Sequence, residues 1–188
     1  MEVRRQLTHI VFGLLVIAFL YLATSADPVN GKAVVELVLL TCLIIGMIVI
    51  DLKEKGWNVP VFDELVLLLE RPKVRPAHGA LWYGLGLLLA LSFLNNFNEI
   101  AATIMILALG DGLATLVGNE GKIRLPYNNA KTLEGFAAFI IACLPAHLLI
   151  GPVFLPLSIF AAFVESANLH LDDNFTVPLA CIIFFSLV

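Results

Sequence analysis

Long apolar runs, separated by short polar segments, extend along almost the whole chain. A helix rises about 1.5 Å per residue, so roughly 20 apolar residues are needed to cross the hydrocarbon of a bilayer. The pattern therefore predicts about seven membrane-spanning helices, of which the last two are short and would cross obliquely or be extended by polar flanks. The predicted spans are residues 7–24, 33–50, 78–94, 100–117, 132–150, 151–164 and 175–188.

The polar connection over residues 51–77 is longer than the others and has an apolar pattern of its own. Its apolar residues share one face of a short helix, which is typical of a helix lying in the membrane interface. Such a helix either covers a path for lipid entry or is a plain surface helix. The face consists of Val61, Phe62, Leu65, Val66 and Leu69.

The composition supports a membrane location for the whole chain. Of its 188 residues, 60% are hydrophobic and only 14% are charged, and the mean hydropathy is +0.97. These values lie far outside the range of soluble globular proteins. The formal net charge of -4 leaves no basic surface for nucleic acid. The expected fold is an all-α, polytopic helical membrane bundle that forms one integral domain over residues 1–188.

The distribution of positive charge predicts how this bundle is oriented. With seven spans, the lysines and arginines fall almost entirely on one side of the membrane, and of the 11 in the chain only Lys32 lies opposite. Cytoplasmic loops are enriched in these residues. We therefore expect the N terminus and any chemistry carried by the polar residues of this side to face the cytosol.

One carboxylate stands out because it lies inside the fourth predicted span. Asp111 is surrounded by apolar residues, where an ionised side chain is costly and usually has a partner or a function. In a helix, Asp111, Ala114, Thr115 and Gly118 share one face, so the carboxylate would lie along a stripe of small residues. Two interpretations are open, namely a ligand site beside Asp111 and an ion pair within a simple helix contact.

The polar run that follows adds cations and a second glycine. Lys122, Arg124 and Lys131 lie within reach of the Asp111 face, and Gly121 allows backbone amides to approach an anion. A carboxylate, cations and glycines together suggest a metal-bound phosphate. The alternative is that these residues are basic only because cytoplasmic loops are enriched in lysine and arginine.

Further polar residues gather on the same predicted side of the membrane. Side chains of this kind suit phosphate or Mg²⁺ contacts, since Mg²⁺ prefers oxygen ligands and is commonly bound together with phosphates. Interfacial anchors and a solvated acidic turn are the alternatives. The residues are Arg5, His9, Arg75, His78, Glu134, Glu165, Asp172, Asp173 and Asn174.

At these positions the sequence resembles the CTP-dependent lipid kinases, which include dolichol, phytol and farnesol kinases and the CTP-type diacylglycerol kinase. The resemblance covers residues 109–179, and the site is expected there. It rests on four segments: Asp111-x-x-Ala114-x-x-x-Gly118, Gly121-Lys122, Lys131-Thr132-x-Glu134-Gly135 and Asp172-Asp173-Asn174.

The resemblance implies transfer of the terminal phosphoryl group of CTP to the hydroxyl of a membrane lipid alcohol, with dolichol or another polyprenol favoured. It implies that Mg²⁺ is the cofactor. Asp111 is expected to hold Mg²⁺ or to take the proton of the attacking hydroxyl. Asp172 and Asp173 are expected to hold or position the metal and phosphate assembly.

The resemblance also implies how the nucleotide is bound. Lys122 and Lys131 are expected to bind the triphosphate, and Gly118 lies beside it. Glu134 is expected to orient a lysine or to bind metal, while Asn174 donates to nucleotide or phosphate.

Two other functions are kept as alternatives. Phosphatidate cytidylyltransferases, which form CDP-lipids, share the first three segments. They are expected to have a Lys-Asp pair and a Gly-Gly-x-x-Asp-Arg segment where this chain has Asp172-Asp173-Asn174. A transporter or scaffold without enzymatic activity is the more distant alternative. Its charges would mark a path across the membrane, whereas those of this chain are predicted to gather on one side.

Overall fold

A computed structural model describes residues 2–60, 62, 64, 77–167, 169 and 171–188 of the chain. The described helices are α1 (Glu2–Ala26), α2 (Gly31–Glu54), α3 (His78–Phe93), α4 (Phe97–Met105), α5 (Gly112–Glu120), α6 (Leu133–Ala142), α7 (His147–Ile150), α8 (Phe154–Ser166) and α9 (Asp173–Leu187). A π-helical segment, Ile106–Asp111, joins α4 to α5, and 3-10 segments flank α7 at Leu144–Ala146 and Gly151–Val153.

The helical fold class is confirmed, with one addition that the sequence did not indicate. An antiparallel hairpin of β1 (Arg124–Leu125) and β2 (Asn128–Thr132) interrupts the helices inside the polar run before α6. The predicted interfacial helix falls largely outside the described residues, since residues 61, 63 and 65–76 do so, and Arg75 is among them.

Among the described residues, four helical stretches are long and apolar enough to cross a membrane. They are Glu2–Ala26, Gly31–Glu54, Phe97–Glu120 and Leu133–Ser166, and two shorter apolar helices are His78–Phe93 and Asp173–Leu187. The length and the apolar composition of these helices indicate a membrane protein. The count of seven crossings and the cytosolic N terminus stay predictions.

The stretch Leu133–Ser166 does not run straight. Its 34 residues would extend about 51 Å as a single helix. Instead α6 packs against α8, and Lys131 just before the stretch forms an ion pair with Glu165 near its end. The chain reverses around Gly151, which has a φ of 62°. The stretch is therefore a helical hairpin, in agreement with the division predicted near residue 151.

The helical stretch Phe97–Glu120 lies at the centre of the bundle. In its most apolar window 67% of the residues are buried, against 17% for α1 and 11% for α2. The helices α1 and α2 expose large apolar side chains such as Leu15, Leu22 and Leu37. This exterior matches a surface covered by hydrocarbon, and Asp111 belongs to the stretch that is most enclosed by protein.

Close packing of α3 against α9 depends on Gly86. A Cβ atom built at Gly86 would lie 2.0 Å from the backbone oxygen of Asn174 and 3.0 Å from Cγ of Pro178. Neither is the far end of a flexible side chain, so the two helices would have to separate. Gly86 therefore holds the start of α9 in its place beside α3.

We expect Gly86→Ala to lower the thermal unfolding midpoint in detergent by roughly 2–10 °C, because overpacking of this kind costs about 1–3 kcal/mol. The measurement is a thermal melt of the purified protein. Gly46→Ala in α2 is the matched control, since a Cβ there meets Leu81 at an ordinary 3.5 Å. Equal midpoints for both variants would contradict the role of Gly86.

Candidate active site

Asp111 is the last residue of the π-helical segment Ile106–Asp111, which continues directly into α5. Short π-helical segments within α-helices occur often at functional sites. The side chain is buried, with 7% of the residue exposed. On α5 the next turns carry Ala114 and Gly118, and both line the cavity that Asp111 faces, together with Thr115. The small-residue face predicted from the sequence is therefore formed.

The β-hairpin brings Lys131 over this face. Glu134 stabilises the start of the hairpin, because its carboxylate accepts hydrogen bonds from the backbone N–H groups of Lys122, at 2.9 Å, and Ile123, at 3.2 Å. Thr132 caps α6, and its hydroxyl accepts from the backbone N–H of Gly135 at 3.2 Å. A threonine hydroxyl in this position satisfies a backbone N–H at the start of the helix.

Lys131 joins two acidic residues that are far apart in the sequence. Its Nζ donates to Oε1 of Glu165 at the end of α8 and to Oδ2 of Asp173 at the start of α9, the latter at 3.0 Å. Burial alone would lower the pKa of Lys131, but the two carboxylates raise it above its ordinary value. The ammonium is therefore charged throughout the neutral range.

Three carboxylates meet around this lysine. One oxygen each of Asp111, Glu165 and Asp173 lies within 4.8 Å of the other two, and the first two residues are buried. Carboxylate oxygens at such distances suit a hard divalent cation. The metal ligands predicted from the sequence were Asp111, Asp172 and Asp173, so the structure adds Glu165, which the sequence suggested only as a secondary residue.

Asp172 has a different set of contacts. It is the N-cap of α9, and its Oδ1 accepts from the backbone N–H of Asn174 at 3.0 Å and from Nδ2 of the same residue at 2.8 Å. Its Oδ2 lies 4.0 Å from Nδ1 of His78. His78 in turn accepts a hydrogen bond from Trp82 at 3.1 Å. These contacts lie where the start of α9 meets α3, and the next residue, Asp173, accepts from Lys131.

These side chains line a cavity of about 530 Å³, which is in the size range of small-ligand sites. Among its described lining residues, four are acidic and two are basic, so the formal charge is negative. A phosphate would be repelled unless a cation came with it. The lining includes eight residues for which the sequence predicted a role in the site: Arg5, Asp111, Gly118, Lys131, Glu165, Asp172, Asp173 and Asn174.

Other predicted residues lie outside the lining of this cavity, as far as the described chain shows. They are Lys122, Glu134, His9 and His78. The side chain of Lys122 is exposed. Gly118 lines the cavity and also packs closely against Gly135. A Cβ atom built at Gly135 would lie only 3.0 Å from the Cα of Gly118. This is a close approach of α5 and α6 of the kind that small residues permit in membrane proteins.

The sequence did not single out the residues that fasten the hairpin to α8. Nδ2 of Asn128 donates to the backbone oxygen of Ser166 at 2.9 Å, and the hydroxyls of Tyr127 and Ser166 are 2.8 Å apart. Asn128 and Ser166 also line the cavity. In the sequence, both are single polar residues beside other polar residues, a pattern too common to indicate a site without the fold.

The fold and the site thus define a helical membrane protein with a polar, acidic cavity at one end of its central helices. Comparison with known proteins gives relatives along most of the chain. An uncharacterised protein of Methanocaldococcus jannaschii is 32% identical over 183 residues, covering 94% of this chain and 88% of the relative. A probable chloroplastic phytol kinase of Oryza sativa is 30% identical over 210 residues, covering 100% of this chain and 66% of the relative.

A CTP-dependent diacylglycerol kinase of Eremothecium gossypii is 27% identical over 181 residues, covering 76% of this chain and 56% of the relative. The chain is thus related to phytol kinases and to a CTP-dependent diacylglycerol kinase, and these relatives support the family of CTP-dependent lipid kinases that the resemblance implied. It spans less than two thirds of the length of the named kinases that it matches. No family model and no solved structure matches the chain.

Proposed function

We propose that this protein transfers the terminal phosphoryl group of CTP to the hydroxyl of a membrane lipid alcohol. The observation that supports this most directly is the group of Asp111, Glu165 and Asp173 around Lys131. Phosphoryl transfer depends mainly on positioning and on neutralising charge. A cavity with acidic ligands for a cation and a charged lysine provides both, at an end of the bundle where a soluble nucleotide and a membrane lipid meet.

In the proposed reaction, the oxygen of the acceptor hydroxyl forms a bond to the terminal phosphorus of CTP. The bond between this phosphorus and the bridging oxygen breaks, and its electron pair leaves with CDP. The hydroxyl proton passes to a base in the cavity, and Asp111 is the carboxylate we assign to this role or to the metal. Lys131 is positioned to contact the phosphate oxygens, since it lines the cavity and its ammonium group is held there by Glu165 and Asp173.

Mg²⁺ is the cofactor that we propose for this site. Asp111, Glu165 and Asp173 would hold it, with Asp172 as the further predicted ligand, and their oxygens are the donors that this ion prefers. When bound, it would neutralise the charge of the phosphates. The negative charge of the cavity lining makes such a cation necessary for binding a triphosphate.

The acceptor that we propose is dolichol or another polyprenol. Phytol, named for one group of relatives, is likewise an isoprenoid with a single primary hydroxyl, and diacylglycerol is named for another. All of these alcohols have an apolar body that stays in the membrane. We also propose that the cavity faces the cytosol and that seven segments cross the membrane, as the positive charges predict.

The test of this function is the nucleotide that the reaction releases. Purified protein in detergent with CTP, Mg²⁺ and phytol or dolichol is expected to release one CDP for each lipid phosphate formed. Removal of Mg²⁺ with EDTA should stop the release, and added Mg²⁺ should restore it. Release of pyrophosphate with phosphatidate as acceptor would contradict the proposal, because that is the product of a cytidylyltransferase.

A further inference from the structure

A second cavity, of about 330 Å³, lies between α1, α2 and α3. Its lining is mostly apolar and includes Phe12 on α1, Cys42 and Gly46 on α2, and Gly84 on α3. Phe12 and Cys42 are exposed on the outside of the bundle. Because Phe12 and Cys42 lie on the apolar exterior of these helices, this side of the cavity opens at the surface that hydrocarbon would cover.

The apolar cavity and the acidic cavity lie next to each other and share one lining residue. Arg5 lines both. From Arg5 to Phe12 the lining extends over seven residues of α1, which correspond to about 10 Å along the helix. A chain lying in the cavity would therefore run parallel to the helices and end beside the site of Asp111 and Lys131.

The end of the apolar cavity near Arg5 is polar. His9 lines it, and the imidazole is held by stacking on Tyr83, with ring centroids 4.5 Å apart. The hydroxyl of Tyr83 donates to the backbone oxygen of His9 at 2.8 Å. Nδ1 of His9 is buried and has no hydrogen-bond partner within the described part of the chain. Such a buried atom is costly to leave unpaired, which favours a polar group of a ligand beside it.

We propose that the apolar cavity binds the hydrocarbon chain of the lipid alcohol, with the hydroxyl toward His9 and Arg5. The inference rests on the proposed function, since it assigns the acceptor part of the same reaction. It joins three observations: lining residues on the apolar exterior of the helices, an unpaired imidazole nitrogen in the same lining, and Arg5 as a residue shared with the acidic cavity. His9 then positions the acceptor, while the chemistry occurs in the acidic cavity.

Filling the cavity should weaken acceptor binding without affecting the nucleotide. Gly46 lines the cavity, and a Cβ there has only an ordinary contact with Leu81, at 3.5 Å. Gly46→Leu is therefore expected to fold and to raise the KM for phytol by about tenfold, with the KM for CTP unchanged. Ala18→Leu, on an exposed face of α1 outside the cavity, is the matched control. An unchanged KM for phytol in Gly46→Leu would overturn the proposal.

A second measurement needs no catalysis. Cys42 is exposed in the cavity, whereas Cys143 and Cys181 are buried, so N-ethylmaleimide should label Cys42 first. At a phytol concentration about ten times its dissociation constant, labelling of Cys42 should slow by about tenfold. CTP with Mg²⁺ alone should not slow it. The control is the double variant Cys42→Ser, Ala18→Cys, in which the exposed cysteine lies outside the cavity. Phytol should not change the labelling rate of the introduced cysteine in this variant, whereas a general effect of phytol on the detergent would.

The two measurements separate this inference from the proposed function. Protection of Cys42 by phytol supports the cavity even if no phosphoryl transfer is detected, which would contradict only the kinase assignment. Phosphoryl transfer without protection of Cys42 would overturn the cavity and leave the kinase standing. Phytane has the carbon skeleton of phytol without the hydroxyl, and equal protection by phytane would contradict the placement of the hydroxyl at His9.

Discussion

Asp111→Asn is expected to lower phosphoryl transfer from CTP by about 10³-fold or more, while the protein remains folded. The substitution keeps the size of the side chain and removes its charge. With it the site loses a ligand for the cation or the base for the acceptor hydroxyl, and either role contributes about 10²–10⁴-fold. The measurement is the initial rate of lipid phosphate formation at saturating CTP, phytol and Mg²⁺.

The matched control is Asp51→Asn. Asp51 is an exposed residue near the end of α2 that forms a surface ion pair with Lys55, and such pairs contribute little. Thermal melts of both variants in detergent show whether loss of activity follows loss of folding. Activity of Asp111→Asn close to that of the unaltered protein would remove Asp111 from the reaction.

Lys131→Met is expected to impair both activity and stability. The variant leaves the buried Glu165 and the partly exposed Asp173 without the cation between them. Removing one partner of a fully buried pair typically costs about 3–5 kcal/mol, and we expect a smaller loss here because Lys131 and Asp173 are partly exposed. The apparent KM for CTP should rise, since a contact to the phosphates is lost. Added Mg²⁺ should recover part of the stability, because the ion replaces the missing positive charge. Thermal melts and CTP titrations measure these effects.

The pH dependence of the Lys131 contribution has a defined sign. In the folded protein the pKa of Lys131 is raised above its ordinary value of 10.5. The stabilisation by its charge is therefore complete below pH 10.5, and it is lost as the pH rises through the pKa that Lys131 has in the folded protein. The difference in unfolding midpoint between Lys131→Met and the unaltered protein should therefore not depend on the ionisation of Lys131 between pH 6 and 8. Lys55→Met, at the surface pair, is the control and should show a difference near zero.

Much of the architecture could be predicted from the sequence because each membrane helix is a single continuous run of apolar residues. The seven predicted apolar segments all contain helix in the structure, and the reversal near Gly151 agrees with the predicted division. Asp111 was found because a carboxylate within a span is costly wherever its partners lie.

Contacts between distant residues could not be predicted in the same way. Glu165 and Asp173 lie 34 and 42 residues beyond Lys131, and no local pattern indicates that they converge on it. The β-hairpin was missed because its strands are short and polar. The hydrogen bonds from the backbone N–H groups of Lys122 and Ile123 to Glu134 form only because the chain folds back in this hairpin. They could therefore not be predicted without it.

The most direct test of the central claim follows labelled phosphorus from CTP into lipid. Purified protein is incubated with Mg²⁺ and a panel of dolichol, phytol, diacylglycerol and phosphatidate, using CTP labelled at the terminal phosphate in one reaction and at the alpha phosphate in another. We predict that the terminal label enters a lipid alcohol and that the alpha label stays in CDP. Entry of the alpha label into phosphatidate would contradict the kinase assignment and show a cytidylyltransferase.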